Sequence, residues 1–249
     1  MPRYRKTIRS GDVIEIEEYF SPRAIGKDYP RGANENLTPE EQKKVNERQA
    51  RKKLARLINT NFGKEDLFIT LTHAYRLDYD TAKAELNKYL RRVKRWRTKQ
   101  GLPELKYVAV TEHKAKREHH HVIMSGMDLT AAVELWQQGR VMISRLDPAG
   151  EYKGLANYIT KEPPEERRRR WSQSRNLDKP KVTIRILKSR PRREKIPVPA
   201  GYKLVERSWY YSDFTGETQY IRAVRPGGAD YGGYGGQNPE EEETEANSG

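Results

Sequence analysis

Three consecutive histidines, His119, His120 and His121, open the apolar stretch HHHVIM, and the chain holds only five histidines in all. Alternate side chains of a strand share a face, so His119 and His121 point one way and His120 the other. Such a pair offers two imidazoles to one cation. Glu112 lies on the preceding run, KYVAVTEH, and a hairpin turn centred near Ala115 and Lys116 sets it across from residues 119 to 121. If its face matches, one carboxylate and two imidazoles converge above a sheet. Three protein ligands leave positions open for water or substrate, as a catalytic metal requires. His113 competes with Glu112 as the upstream ligand, but alternation turns it to the other side. The competing reading of the cluster is a solvated strand start that binds nothing.

A second pair is Tyr158 and Lys161 in NYITKE, whose spacing places both on one helix face. A phenol ordinarily titrates near about pH 10, so a tyrosine nucleophile needs help to ionise, which a neighbouring ammonium supplies by favouring the phenolate. A buried tyrosine with a snorkelling lysine explains the same spacing without chemistry. Tyr152 lies six residues before Tyr158, about 240° further round a helix, and Gly154 sets it ahead of that helix. A single nucleophile is expected, with Tyr152 structural.

The elements that must position these groups can be read from periodicity. Thr38, Pro39 and Glu41 give the N-cap, first helical residue and capping box of a helix over 38–61. Leu54, Leu57 and Ile58 form its apolar stripe, and lysines and arginines cover the rest. DLFITLTHAY is apolar on both faces and reads as a central strand. Ala82, Leu86, Tyr89, Leu90, Val93 and Trp96 form one stripe of a helix over 79–99, whose outside carries Arg91, Arg92 and Arg95. KYVAVTEH and HHHVIM form a hairpin, DLTAAVELWQQG a short helix stopping at Gly139, RVMISRL a fourth strand, and GLANYITKE a helix ended by Pro163 and Pro164. The order β-α-β-β-α-β-α predicts an α+β fold, a ferredoxin-like split β-α-β antiparallel sheet with helices on one face.

The flanks are read more coarsely. Residues 1–37 look irregular apart from one short strand in DVIEIEEYF. The division expected is an N-terminal basic arm and helix (1–64), a core (65–165), a basic linker with a β-rich appendage (166–225) and a disordered acidic tail (226–249). Trp209, Tyr210, Tyr211, Phe214 and Tyr220 are assigned mainly to the small core of the appendage, with base stacking as the alternative.

Composition narrows the partner. The net charge is +14 and the isoelectric point about 9.7, although the closing residues PEEEETEANSG are acidic. A polyanion is the natural partner, because each phosphate neutralised releases a counterion. With 34% charged residues and a mean hydropathy of −1.03, much of the chain must be solvated. There is no cysteine, which excludes disulfides, thiol catalysis and Cys-based zinc sites. No run suits a membrane span or a secretory signal, so a cytoplasmic protein with no membrane partner is expected. No P-loop motif is present, so unwinding falls to another protein.

With these motifs in order, the chain resembles the HUH endonucleases that initiate rolling-circle replication. The resemblance rests on FITLT (Phe68 to Thr72), the H-x-H strand (His119 to His121) and Tyr158 followed by Lys161, and spans roughly residues 65–165. The preceding NERQARKKLARLINTNFGKED also looks like the arm that leads into this domain in plasmid and phage replication proteins. His120 departs from the pattern, which usually has a bulky apolar residue there. The resemblance implies a single-tyrosine nickase: Glu112, His119 and His121 hold a divalent metal, Mn or Mg, and Tyr158 attacks single-stranded DNA or an origin hairpin, leaving a 5′-phosphotyrosine. Lys161 stabilises the phosphate. Arg91, Arg92, Arg95, Arg117, Arg167, Arg168, Arg169 and Arg170 are the expected DNA contacts, and a host helicase and polymerase the expected partners in a bacterial cytoplasm. Relaxases and transposases share this chemistry. The readings from other classes are a water-activating metal hydrolase and a non-catalytic ferredoxin-like nucleic-acid-binding module, although no RNA-recognition aromatic motif is present.

Overall fold

Between residues 67 and 159 strands and helices follow one another in the order the hydrophobic pattern puts them. The computed structural model describes residues 2–21, 38–113, 118–161, 169–187, 195–212 and 216–226. Helix α1 (Pro39–Asn61) starts at Thr38, whose hydroxyl accepts from the Glu41 N–H while the Thr38 N–H donates to the Glu41 carboxylate at 2.8 Å. Helix α2 (Tyr79–Lys99) is capped in the same sense by Asp78, and buries Ala82, Leu86, Tyr89, Leu90 and Val93.

Five strands build the central sheet: β3 (Leu67–His73), β4 (Tyr107–His113), β5 (Glu118–Met124), β6 (Gly139–Arg145) and the short β7 (Ser172–Gln173). Their order is β6-β3-β5-β4-β7, antiparallel throughout, so β5 is inserted between β3 and β4 as a ferredoxin-like split sheet requires. Hairpin β4–β5 pairs Glu112 directly with His119 and Val110 with His121. That register centres the hairpin where the sequence puts it, although residues 114–117 themselves lie outside the described residues.

Helices cover both faces, not one. Leu67, Ile69, Leu71, Ala109, Val122 and Met124 pack against α2, Ala132 of α3 (Leu129–Glu134) and Trp136. Val108, Val110 and Ile123 pack against Leu54, Leu57 and Ile58 of α1 and against Ala156 and Ile159 of α4 (Lys153–Ile159). The middle strands are apolar on both sides, and each such side chain fully buried contributes about 1.5–3 kcal/mol, so a bare second face is excluded. Gly139 does not stop a helix. It opens β6 at φ 146°, and a Cβ there would lie 2.4 Å from the Thr72 carbonyl oxygen.

The stretch before the strand expected in DVIEIEEYF is not irregular: it forms β1 (Arg3–Ser10), which pairs in a tight hairpin with that strand, β2 (Val13–Phe20). They form a second antiparallel sheet with β8 (Lys181–Leu187), β9 (Lys203–Ser212) and β10 (Gly216–Val224), in the order β8-β1-β2-β10-β9. Ile14, Ile16, Ile196, Ile221 and Ala223 are its core. Helix α1 docks on it through Arg56, which donates to Glu15 at 2.7 and 2.6 Å, and Tyr220 Oη donates to the same carboxylate at 2.9 Å. Trp209, Tyr210 and Tyr211 are exposed, which corrects their assignment to a core; Tyr220 is buried, and Phe214 lies outside the described residues.

Candidate active site

At one end of the α1/α4 face of the central sheet the polar residues of three adjacent strands come together. Because side chains alternate, Thr70 and Thr72 of β3, His119 and His121 of β5, and Glu112 of β4 all project from this face. His121 Nε2 lies 3.4 Å from Glu112 Oε1, with both side chains buried. The other ring nitrogen of each histidine meets a threonine: His121 Nδ1 is 3.1 Å from Thr70 Oγ1, and His119 Nδ1 is 3.0 Å from Thr72 Oγ1. The two threonines were not singled out in the sequence, yet the period-two spacing of FITLT against H-x-H was a legible signal.

Tyr158 reaches this surface from α4. Its ring packs at 62° to the His121 ring with centroids 5.3 Å apart, and edge-on to Phe68 at 6.4 Å. It is 48% exposed, so it is open to an incoming ligand. Lys161 does not share a helix face with it, because α4 ends at Ile159 with Thr160 as its C-cap. A turn in which the Lys161 N–H donates to the Tyr158 carbonyl still folds the lysine back. Its Nζ stands 4.5 Å from the Tyr158 ring centroid and 4.0 Å from Glu112 Oε1. Pro163 and Pro164 lie outside the described residues. Tyr152 is the N-cap of α4, buried, with its hydroxyl donating to the Asp147 carbonyl at 2.9 Å. Burial pushes its phenol up to about 12, with Asp147 adding to the effect.

His120 takes the opposite face. It is fully buried, its Nε2 lies 2.9 Å from His73 Nε2, and its Nδ1 lies 3.0 Å from Thr111 Oγ1. Trp136 closes the cluster edge-on, and buried Glu118 beside it accepts from the Leu77 N–H at 3.1 Å. Burial first, and then the His73 charge, pushes His120 down to about 3; burial also lowers His73. Both rings are therefore neutral near pH 7, one donating and the other accepting. A polar residue thus occupies an apolar position because it brings its own partner.

Among the described residues, no group of three histidine, cysteine, aspartate or glutamate side chains is already gathered so that it could hold an ion. Glu112 and His121 are in contact, and His119 is the direct cross-strand neighbour of Glu112. Two imidazoles with a carboxylate is a donor set that suits a divalent transition metal such as Mn²⁺.

The expected DNA contacts divide. Arg91, Arg92 and Arg95 lie on α2, across the sheet from Tyr158, where Arg92 Nε donates to the Leu135 carbonyl at 2.9 Å. Arg169 is exposed and Arg170 half-buried, just ahead of β7. Arg117, Arg167 and Arg168 lie outside the described residues.

Fold and site together define a class: an α+β protein with a ferredoxin-like split sheet that sets paired histidines and a carboxylate on one face beside an exposed tyrosine. Residues 66–163, from just before β3 to just past Lys161, match the family model described as replication-associated protein ORF2/G2P. This central segment is similar to replication-associated proteins. No curated protein and no solved structure matches the chain. No helix among the described residues is long and apolar enough to cross a membrane.

Proposed function

We propose that the protein is a DNA nicking-joining endonuclease that initiates rolling-circle replication with Tyr158 as its single nucleophile. The observation that carries this reading is the meeting of Tyr158 with His121, Glu112 and Lys161 on one sheet face. The similarity of residues 66–163 to replication-associated proteins supports replication over transfer or transposition.

In the reaction, the phenol of Tyr158 loses its proton and its oxygen attacks the scissile phosphorus in line. The bond to the 3′-oxygen breaks, that oxygen takes up a proton, and the 5′-phosphate stays on the tyrosine. One ester replaces another, so a later 3′-hydroxyl reverses the step and rejoins strands. The Lys161 ammonium offsets the charge on the five-coordinate phosphorus. Glu112, His119 and His121 would hold a divalent cation, the set closing as His119 joins the pair already in contact. That cation would polarise the phosphate oxygens. With the Thr70 and Thr72 oxygens accepting from Nδ1–H, each imidazole presents its Nε2 lone pair outward. A host helicase and polymerase would unwind and extend the nicked strand.

The test incubates the protein and its Tyr158→Phe variant with Mn²⁺ and labelled single-stranded DNA drawn from the region flanking its own gene. A denaturant-resistant adduct is expected with the parent alone. An adduct that survives in the variant removes Tyr158 from the role, and absence of any adduct removes the nicking reading.

A further inference from the structure

Three hollows on the outside of the central sheet run into one another. The first lies between α1 and the segment entering β7, where Lys53, Arg169, Arg170 and Arg175 are its charged lining among the described residues. Its floor is Trp171, packed against the α1-side core, with its Nε1 donating to Gln173 at 2.8 Å. The second rounds the β7 edge. It shares Gln173, Ser174 and Arg175 with the first, and reaches Arg91 and Lys94 of α2. The third continues along α2, sharing Arg91 and Lys94 and adding Lys88, Arg92 and Arg95. Glu104 is the one acid in the lining of these hollows among the described residues, held by Lys94 at 2.9 Å, while Glu85 and Glu47 at the margin pair with Lys88 at 2.5 Å and Arg170 at 3.9 Å.

The belt begins beside the candidate active site. Strand β7 pairs with β4 so that Ser172 is opposite Ala109 and Gln173 opposite Val108. The antiparallel chain therefore enters from the Glu112 end of β4, with Arg169 and Arg170 on the way in. Another hollow, between α1, α4 and β9, differs in kind. Glu17, Glu47 and Glu206 are mixed with its cations, and Glu206 is held by Lys153 at 2.7 Å and by Arg222 at 3.2 Å. In that hollow acids and cations are mixed, whereas along the belt the cations outnumber the acids beside them and repel one another until a polyanion arrives.

We infer that this belt is the path by which single-stranded DNA leaves the cleavage site, rounds the β7 edge and continues along α2. Lys53, Arg169, Arg170 and Arg175 meet the phosphates nearest the cut, and Lys88, Arg91 and Arg95 those further away. The inference rests on the nicking reading for the identity of the ligand. The turn from one sheet face to the other selects the single strand, because duplex DNA is stiff over about 150 base pairs and does not fold round the edge of one sheet. It also assigns a use to cations of α2 that lie too far from Tyr158 to touch the reacting phosphate.

The test measures binding without metal, in full-length protein carrying Tyr158→Phe, by fluorescence anisotropy of labelled single strands about 8 and 25 nucleotides long across a salt series. One variant adds Lys53→Ala, Arg169→Ala and Arg175→Ala; a second adds Lys88→Ala, Arg91→Ala and Arg95→Ala. Each phosphate contact on a single strand contributes about 0.7 to the slope of log affinity against log salt, so each triple variant should flatten the long-strand slope by about 2. On the short strand only the first triple should do so. The inference is overturned if the α2 triple leaves the long-strand slope unchanged, or if it flattens the short-strand slope as much as the first triple does. Loss of the tyrosine adduct in the separate nicking assay with both slopes behaving as stated would sink the nuclease and leave the path.

Discussion

The pair His73–His120 allows the ligand frame of the triple histidine to be tested without touching the face that carries Tyr158. Replacing His73 with leucine strips the buried His120 Nε2 of the partner it meets at 2.9 Å. An unsatisfied buried polar atom costs about 1–3 kcal/mol. His120→Leu strands two groups, His73 Nε2 and the Thr111 hydroxyl that meets His120 Nδ1 at 3.0 Å, and should cost about 2–4 kcal/mol. The double variant removes both members of the ring pair and leaves the Thr111 hydroxyl alone, while adding two apolar side chains beside Trp136. It should be less destabilised than the sum of the singles by about 2–4 kcal/mol. For a chain of this size about 1 kcal/mol moves the melting midpoint by roughly 2–4 °C, so the coupling is readable by calorimetry or thermal denaturation followed by circular dichroism. Because His120 faces α2 and α3, the folded double variant should form as much tyrosine adduct as the parent. Additive destabilisation, or loss of adduct in a folded double variant, would refute the assignment of His119 and His121 to the site and His120 to the interior.

Two further outcomes follow from the geometry. Thr70→Val and Thr72→Val remove the groups that meet the imidazole Nδ1 atoms at 3.1 and 3.0 Å. Each should raise the Mn²⁺ concentration for half-maximal adduct about 10–100-fold with little change in melting midpoint, and an unchanged metal titration would exclude an orienting role. Glu15 is set against burial, which raises its pKa, but the Arg56 hydrogen bonds and charge outweigh it and hold the carboxyl below its ordinary value of 4.5. Its contribution is therefore complete above pH 4.5 and is lost as pH falls through the lower folded value. Glu15→Gln should cost about 2 kcal/mol at pH 7 and progressively less below that point. Equal losses at pH 7 and in acid would show that the pair does not link α1 to the second sheet in this way.

Local pattern carried much of this protein. The capping box at Thr38, the buried stripe of α2 and the alternation that separates His119 and His121 from His120 all depend on neighbours within a few residues. The hairpin register followed from the same periodicity, which is why Glu112 could be set across from residues 119 to 121 before any fold was known. What the sequence could not supply is pairing across long separations. Strand β2 was legible in DVIEIEEYF, but β1 looked irregular because the strands that complete their sheet, β8 and β10, lie well over a hundred residues further along the chain. The second helical layer, the exposure of Trp209, Tyr210 and Tyr211, and the return of Lys161 through a turn beyond α4 likewise depend on what packs against what. The basic belt is the furthest from the sequence: its cations come from α1, α2 and the segment at β7, and only closure of the sheet edge places them in one line. Side-chain chemistry is written residue by residue, but its convergence is a property of contacts that form only when the chain has folded.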